Sequence, residues 1–336
     1  MNLLYRLVGL SILTVSCGFP VQVEAQRVRR KPSVPEVRFD LGNSALGIPF
    51  ELYNNHIYLR VRVNDSEPLS FILDTGASSI ISRKRAESLG LRVGRKERGF
   101  GVGESSVEAS LAEGVSLNLP GVTLSRQTIA AVDLEDLQKS LGRTLDGILG
   151  SSFLSRLVVE IDYSAKTINL YAPRSYRYRG KGERIPLVVD ADSGLIFARA
   201  VVKPSKRAPL KGLFEIDSGG GHTLDLNSPF VERNNLLSAA QKANAVSIGG
   251  LGGSSRAVMG TVEVLQLGRT SRVENVSAFF SLSTEGMLAS AEFDGNIGND
   301  FLRRFKVAFD YSRRSMFLEP ERSFSLSQGA AAGLRR

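Results

Sequence analysis

The sequence predicts an all-β protein built from two homologous lobes that carry only short helices. Two internal repeats predict this duplication. Residues 71–77, FILDTGA, resemble residues 214–220, FEIDSGG, and residues 145–154 resemble residues 293–302. Both repeats recur at a similar separation, which is far longer than the roughly 20–50 residues of a solenoid unit. We therefore expect a duplicated lobe.

The composition supports two β-rich cores. The chain has 336 residues, 42% of them hydrophobic, and 33 glycines that favour tight turns, while a domain typically contains roughly 100–200 residues. No segment beyond the N-terminus approaches the ~20 apolar residues of a membrane-spanning helix. We predict a signal peptide, a linker, a first lobe, an interlobe linker, a second lobe and a disordered tail, over residues 1–25, 26–44, 45–175, 176–184, 185–322 and 323–336.

Local patterns predict matching strands in the two lobes. Residues 57–63 alternate apolar and polar side chains, which is typical of a half-buried strand, and residues 196–201 repeat the pattern. A turn over residues 64–68 leads into the strand that ends before Asp74. Two glycine-rich regions, over residues 99–114 and 249–260, predict hairpins.

One short helix is predicted after each aspartate-containing repeat. In the first lobe Ser82 is expected to cap a helix that ends at Leu89, before Gly90. In the second lobe Asn227 or Ser228 is expected to cap the corresponding helix, with Pro229 at its first position, where the missing N–H has no cost.

The N-terminus has the features of a secretory signal. A weakly basic start precedes an apolar segment over residues 7–15, and Ala25 is a small residue before the expected cleavage site at Gln26. This predicts export to the periplasm or the medium. Cys17 leaves a lipid-anchored form open, although residues 14–16 match a lipobox poorly. Since Cys17 is the only cysteine, the sequence predicts neither a disulfide framework nor cysteine catalysis.

The net charge of +9 does not predict nucleic-acid binding. The basic residues are dispersed, apart from clusters within residues 27–31, 174–184 and 335–336. We interpret this charge as a contribution to solubility and to interaction with the cell surface.

The pattern of an apolar pair, Asp, Thr or Ser, and Gly, followed later in each lobe by an apolar pair and Gly, resembles the aspartic proteases. In particular, the sequence is similar to the retropepsin-like aspartyl proteases of bacteria, with the lobe duplicated in one chain. The resemblance covers roughly residues 45–173 and 183–320. It implies a retropepsin/pepsin-like acid protease fold whose two lobes are related by a pseudo-twofold axis, with a cleft between them.

The resemblance also implies the roles of individual residues. Asp74 and Asp217 would be the catalytic pair, and the hydroxyl groups of Thr75 and Ser218 would link the two loops. The glycines that follow them, Gly76 and Gly219, would let backbone N–H groups approach the carboxylates. The apolar-Gly segments that support the loops would be residues 149–150 and 297–298.

Other polar residues near these motifs have less specific interpretations. Asp146 and Asp294 are interpreted as turn residues, and His222 as a subsite contact at most, because two histidines are too few for a triad or a histidine metal site. Glu215 either perturbs the catalytic pair or faces solvent. Asn296 replaces an apolar residue and puts the packing behind Asp217 in doubt.

The functional hypothesis is an aspartic-type endopeptidase, a hydrolase that activates water between two carboxylates sharing one proton. It predicts a polypeptide substrate, no cofactor or metal, no nucleic-acid partner, no integral membrane span and a monomer. The glycine-rich hairpins resemble flaps that close over substrate. Two alternatives stay open: a catalytically inactive relative that binds peptides in the cell envelope, and a structural surface protein without a cleft.

Overall fold

The computed structural model describes residues 36–100, 103, 105–237 and 244–321. The predicted signal peptide, Cys17 and the predicted tail lie outside these residues. The described chain is mostly β, as the sequence predicts, and forms three sheets. None of its helices is long and apolar enough to cross a membrane.

The first sheet contains nine strands from the first half of the chain. They are β1 (Glu36–Phe39), β3 (Glu51–Tyr53), β4 (His56–Val63), β5 (Leu69–Leu73), β6 (Ile80–Ser82), β7 (Val93–Phe100), β8 (Ser106–Leu119), β9 (Val122–Val132) and β10 (Gly147–Leu149). Pairing of β8 with both β4 and β9 closes six of these strands into a ring, in the order β4-β5-β10-β6-β9-β8.

The second lobe repeats this ring. Its eight-stranded sheet contains β14 (Val188–Val189), β15 (Ile196–Lys203), β16 (Leu210–Asp217), β17 (Leu224–Leu226), β18 (Asn244–Gly250), β19 (Gly253–Leu267), β20 (Ser271–Ser281) and β21 (Gly295–Gly298). Pairing of β15 with β19 closes the order β15-β16-β21-β17-β20-β19, strand for strand the same as in the first lobe.

A six-stranded sheet joins the two lobes. It contains β2 (Ser44–Pro49), β11 (Val158–Asp162), β12 (Thr167–Tyr171), β13 (Glu183–Pro186), β22 (Phe305–Asp310) and β23 (Ser315–Pro320). Their order is β13-β23-β22-β11-β12-β2, with the antiparallel pair β11–β22 at the centre. On either side of this pair the strands of the second lobe, β22, β23 and β13, mirror those of the first, β11, β12 and β2. This arrangement has the pseudo-twofold relation that the family resemblance implies.

The helices are short, and all but α2, which follows β9, come after an apolar-Gly strand or after the strand that follows an aspartate loop. They are α1 (Arg83–Ser88), α2 (Glu135–Leu141), α3 (Ser151–Leu154), α4 (Ser228–Arg233) and α5 (Asn299–Leu302), with 3-10 turns at Met287–Ala289 and Tyr311–Arg313. Ser82 caps α1 as predicted, because its hydroxyl accepts the N–H of Arg85 at 3.2 Å. Gly90 follows with φ +62°, which ends the helix.

Three predicted boundaries differ from the structure. Part of the predicted linker is β1, which pairs with β9, and Ser44 already belongs to β2. Glu183 and Arg184, predicted as interlobe linker, pair with β23. Asn227 is the N-cap of α4, which makes Pro229 its second residue, and the Asn227 side chain donates instead to the carbonyl groups of three later residues, Met287, Ser290 and Phe293.

Candidate active site

The two predicted aspartates lie at equivalent ends of equivalent strands. Asp74 follows β5 directly and Asp217 ends β16, and each strand runs parallel to an apolar-Gly strand, β10 or β21. The Asp74 N–H donates to the carbonyl of Leu149 at 3.0 Å. The buried parallel pairs therefore hold both aspartate loops at the same edge of their lobes.

Reciprocal hydrogen bonds join the two loops through Thr75 and Ser218. The Ser218 N–H donates to Thr75 Oγ1 at 2.9 Å, and the Thr75 N–H donates to Ser218 Oγ at 3.1 Å. Each hydroxyl in turn donates to a carbonyl of the opposite lobe: Thr75 to Ile216 at 2.6 Å and Ser218 to Leu73 at 3.0 Å. Both residues are fully buried, so this network positions the loops without competition from water.

Replacing Thr75 with valine is expected to destabilise the protein strongly. It removes the acceptor of one buried N–H and the donor to one buried carbonyl, and each orphaned buried group costs about 1–3 kcal/mol. Denaturant unfolding measures the free-energy change. Thr75→Ser is the matched control because it keeps the hydroxyl. Equal unfolding midpoints for the two variants would contradict this role of the network.

Gly76 and Gly219 allow each loop to lie against the opposite aspartate. A β-carbon on Gly219 would lie 2.1 Å from Asp74 Cγ, and one on Gly76 would lie 2.7 Å from Asp217 Cγ. Each glycine also donates its N–H to the aspartate of its own loop, at 2.8 Å for Gly76 and 2.7 Å for Gly219. The two carboxyl groups are therefore packed together, which is the geometry that two carboxylates sharing one proton require.

The two carboxyl groups interact with each other. Burial raises the pKa of Asp74 well above its ordinary value, and the neighbouring charge of Asp217 and a hydrogen bond to it raise the pKa further. Asp217 is 8% exposed and accepts the N–H groups of Gly219 and Gly220 on Oδ1, at 2.7 and 2.9 Å. Such a pair can hold one proton and one negative charge, which is what general acid–base chemistry requires.

A cavity of about 720 Å³ opens above the aspartates. Its lining from the first lobe contains the polar residues Asn54, His56, Ser78 and Ser140 and a larger apolar set: Ile80, Val107, Ala109, Ala130, Val132, Leu137, Leu141 and Ile148. The second lobe contributes polar groups, including His222 and Asp225. The second lobe also contributes apolar side chains, among them Ile248, Leu251 and Phe279. The cavity is large enough for side chains of an extended peptide.

The tips of the two predicted hairpins meet over this cavity. They are the β7–β8 hairpin of the first lobe and the β18–β19 hairpin of the second. The Gly103 N–H donates to the carbonyl of Leu251 at 2.9 Å, and the Ser105 N–H donates to that of Gly252 at 3.0 Å. A β-carbon on Gly103 would lie 2.1 Å from the Gly252 backbone, so this contact requires glycine. The hairpins are thus placed as a pair of flaps.

Asp146 and Asp294, which the sequence predicts to be turn residues, also make specific contacts in the structure. Asp146 accepts the N–H of Ser70 at 2.9 Å and pairs with Arg85 of α1 at 2.9 Å. Asp294 does the same in the second lobe, with Leu213 at 2.8 Å and Arg233 of α4. These side chains fasten a helix to the strand that leads to each catalytic candidate.

The second lobe contains a polar group that sequence reasoning missed. Asn296 donates through Nδ2 to Asp217 Oδ2 at 2.9 Å, so it contacts the site instead of weakening the packing behind it. Glu215 is 3% exposed, which rules out the solvent-facing alternative. Burial and the neighbouring Asp217 and Asp74 raise its pKa. The only signal in the sequence was the departure of these two residues from the apolar pattern of the first lobe.

The sequence model of the family described as Aspartyl protease matches residues 59–153. This match contains the first Asp-Thr-Gly and the first apolar-Gly segment. The resemblance to the retropepsin-like aspartyl proteases is thereby confirmed. The match ends before the second lobe, where Asp217 is located by the internal repeat. No curated protein matches the sequence.

The fold has a counterpart among solved structures. The structure is similar to the crystal structure of Basic 7S globulin from soybean, with a TM-score of 0.51 and 10% sequence identity. The match covers 82% of this chain and 95% of the globulin chain. At this identity the likeness shows the fold alone, a pepsin-like arrangement of β-sheets.

Proposed function

We propose that this aspartyl protease family protein is an aspartic-type endopeptidase, with Asp74 and Asp217 as its catalytic residues. The observation that carries the proposal is the contact between the two carboxyl groups, which the reciprocal bonds of Thr75 and Ser218 hold beneath a cavity of about 720 Å³. The apolar wall of the first lobe supports a polypeptide substrate with an apolar side chain on that side of the scissile bond.

The reaction follows from two carboxyl groups that share one proton. The ionised carboxylate takes a proton from water, whose oxygen attacks the carbonyl carbon of the peptide, while the protonated carboxyl donates its proton to the carbonyl oxygen. Transfer of a proton to the peptide nitrogen then accompanies cleavage of the C–N bond, which gives an acid and an amine. The substrate would bind as an added strand under the hairpin tips, which must separate to admit it.

The rate of cleavage is expected to depend on pH through a bell-shaped profile. The group that acts as acid works only while protonated, so activity is lost as pH rises through its pKa. Because burial and Asp217 raise the pKa of Asp74, the alkaline limb should lie above the range of an ordinary carboxyl group. Measuring kcat/KM between pH 3 and pH 9 checks this. A flat profile into alkaline buffer would contradict it.

We infer the cellular setting from the sequence. The predicted signal peptide supports export to the periplasm or the medium, with lipid anchoring through Cys17 as the disfavoured alternative. Because one chain supplies both aspartates, a monomer is sufficient for the proposed reaction.

Incubation of the purified protein with a peptide library, with and without a statine-type inhibitor, tests the proposal. We expect internal cleavage that the inhibitor abolishes, and mass spectrometry of the products identifies the cleaved bonds. Peptide binding without cleavage at any pH would instead support the inactive, peptide-binding alternative.

A further inference from the structure

The two lobes differ at three structurally equivalent positions near the aspartates. In the first lobe these positions are Ile72 on β5, Ile148 on β10 and Ile80 on β6. The strand register pairs Ile148 with both of the others. All three belong to one apolar cluster, which adjoins the cavity. No polar side chain from these positions can therefore reach Asp74.

In the second lobe the same register brings together three polar residues. Asn296 on β21 pairs with Glu215 on β16 and with Asp225 on β17. All three side chains are at most 5% exposed. A buried polar group is costly unless it is hydrogen-bonded, so a cluster of this kind beside a catalytic candidate calls for a functional explanation.

The contacts of Asn296 determine the orientation of its amide. Its Nδ2 lies 2.9 Å from Asp217 Oδ2 and 3.3 Å from Glu215 Oε2, and its Oδ1 lies 3.1 Å from His222 Nε2. Only the NH₂ group can donate to two carboxyl groups, and the amide oxygen can only accept. His222 therefore carries its hydrogen on Nε2, which is also 3.4 Å from Asp225 Oδ2.

The hydrogen bonds to the two catalytic candidates are unequal as a result. Asp217 accepts three donors from its own lobe, the N–H groups of Gly219 and Gly220 and the amide of Asn296. Within the described part of the chain, Asp74 accepts one such donor, the Gly76 N–H. Donors that point at a carboxylate favour its charged form.

We propose that Asn296 is a positioning residue that keeps Asp217, rather than Asp74, ionised, so that Asp217 is the base that activates water and Asp74 is the acid. This inference rests on the proposed function, because it assigns fixed roles within that catalytic pair. Asn296 acts through Asp217 and need not contact the substrate.

Several other titratable groups face Asp217. Asp74 and His56 approach from the first lobe, Glu215 lies on the same strand, and His222 and Asp225 lie beside β21. Tyr311 adds a further buried hydroxyl near Asp74 and Glu215. Burial raises the pKa of Asp225 to about 6 and also raises that of Glu215. Glu215 and Asp225 are therefore uncharged in acid. The main difference between the surroundings of Asp217 and those of Asp74 is then the number of hydrogen-bond donors to each carboxylate.

The test replaces Asn296 with isoleucine, the residue at the equivalent position of the first lobe. Two readouts are compared with the wild-type protein: the pH profile of kcat/KM, and carbon-13 NMR of the Asp217 carboxyl, assigned by its loss in Asp217→Asn. We expect the acidic limb of the kcat/KM profile to move to higher pH by about one to two units. The pH at which the Asp217 carbon-13 signal changes should move by the same amount. We also expect kcat to fall, KM to change less than about twofold, and the alkaline limb to stay.

Two further variants keep the test decisive. Glu215→Ile with Asn296→Ile recreates the apolar pair of the first lobe, so it serves if Asn296→Ile alone fails to fold, and the same movement of the Asp217 signal is expected. Ile161→Val on β11, a buried position outside the cavity lining, is the control and should leave both limbs in place. An unmoved Asp217 signal in the Asn296 variants would overturn the inference. Absence of cleavage by the wild-type protein would overturn the proposed function instead, because the NMR readout does not need activity.

Discussion

Asp217→Asn and Asp74→Asn are each expected to lower kcat/KM for peptide cleavage by at least about 10³-fold, because a positioned acid or base typically contributes 10²–10⁴-fold and water activation needs both. An amide can neither take up the proton of water nor donate as a carboxylic acid does. Steady-state cleavage of one peptide identified from the library provides the measurement. Asp65→Asn makes the same chemical change on an exposed turn and should cleave as the wild type does.

The loss of activity should not come from loss of the fold. Because the folded protein raises the pKa of Asp74, this group contributes stability that is fully present in acid and is lost as pH rises through its raised value. Asparagine does not ionise, so Asp74→Asn does not lose stability in this way as pH rises. It should be at least as stable as the wild type at neutral pH. Thermal unfolding at pH 4 and at pH 7 measures this. A variant that cleaves like its parent would refute the assignment of the pair.

Gly219→Ala is expected to lower kcat/KM by about 10²-fold or more, since its β-carbon would lie 2.1 Å from Asp74 Cγ and must displace that carboxyl group. A misplacement of about 1 Å can cost 10²-fold in rate. The change in KM should be smaller than the change in kcat, because the apolar residues that line the cavity in the first lobe are unchanged.

Gly94→Ala is the matched control for this substitution. Its nearest neighbour would be the Leu111 carbonyl at 3.4 Å, and its backbone has no positive φ. If Gly219→Ala kept the activity of Gly94→Ala, the close packing of Asp74 against the second loop would be contradicted. A structure of Gly219→Ala should show the Asp74 side chain rotated away from Asp217.

The duplicated motifs made much of the fold predictable from the sequence. The repeated Asp-Thr/Ser-Gly and apolar-Gly segments predicted two equivalent lobes, and both occupy equivalent strands. The cap at Ser82 followed from local chemistry, since its hydroxyl needs only the N–H of Arg85, three residues later. The pairing of β1 with β9 was not predictable, because short polar strands at a sheet edge look like linkers.

The site was less predictable than the fold. The hydroxyl groups of Thr75 and Ser218 were located through the resemblance, but no local pattern indicates that the tips at Gly103 and Gly252 touch. The sequence suggested that Asn296 weakens the packing, because a pattern of apolar residues gives no information about buried hydrogen bonds. Its partner Asp217 is 79 residues away along the chain, and only the strand register brings them together.

In the proposed reaction, the carboxyl groups of Asp74 and Asp217 lie on either side of one oxygen atom, that of the water molecule that attacks the peptide. Calorimetric titration with a statine-type peptide, whose hydroxyl takes the place of that oxygen, tests it most directly. We predict one inhibitor per chain and binding that weakens by at least about 10²-fold in Asp217→Asn, as expected when a transition-state analogue loses its partner. Binding of equal strength to both proteins, or to neither, would contradict the claim.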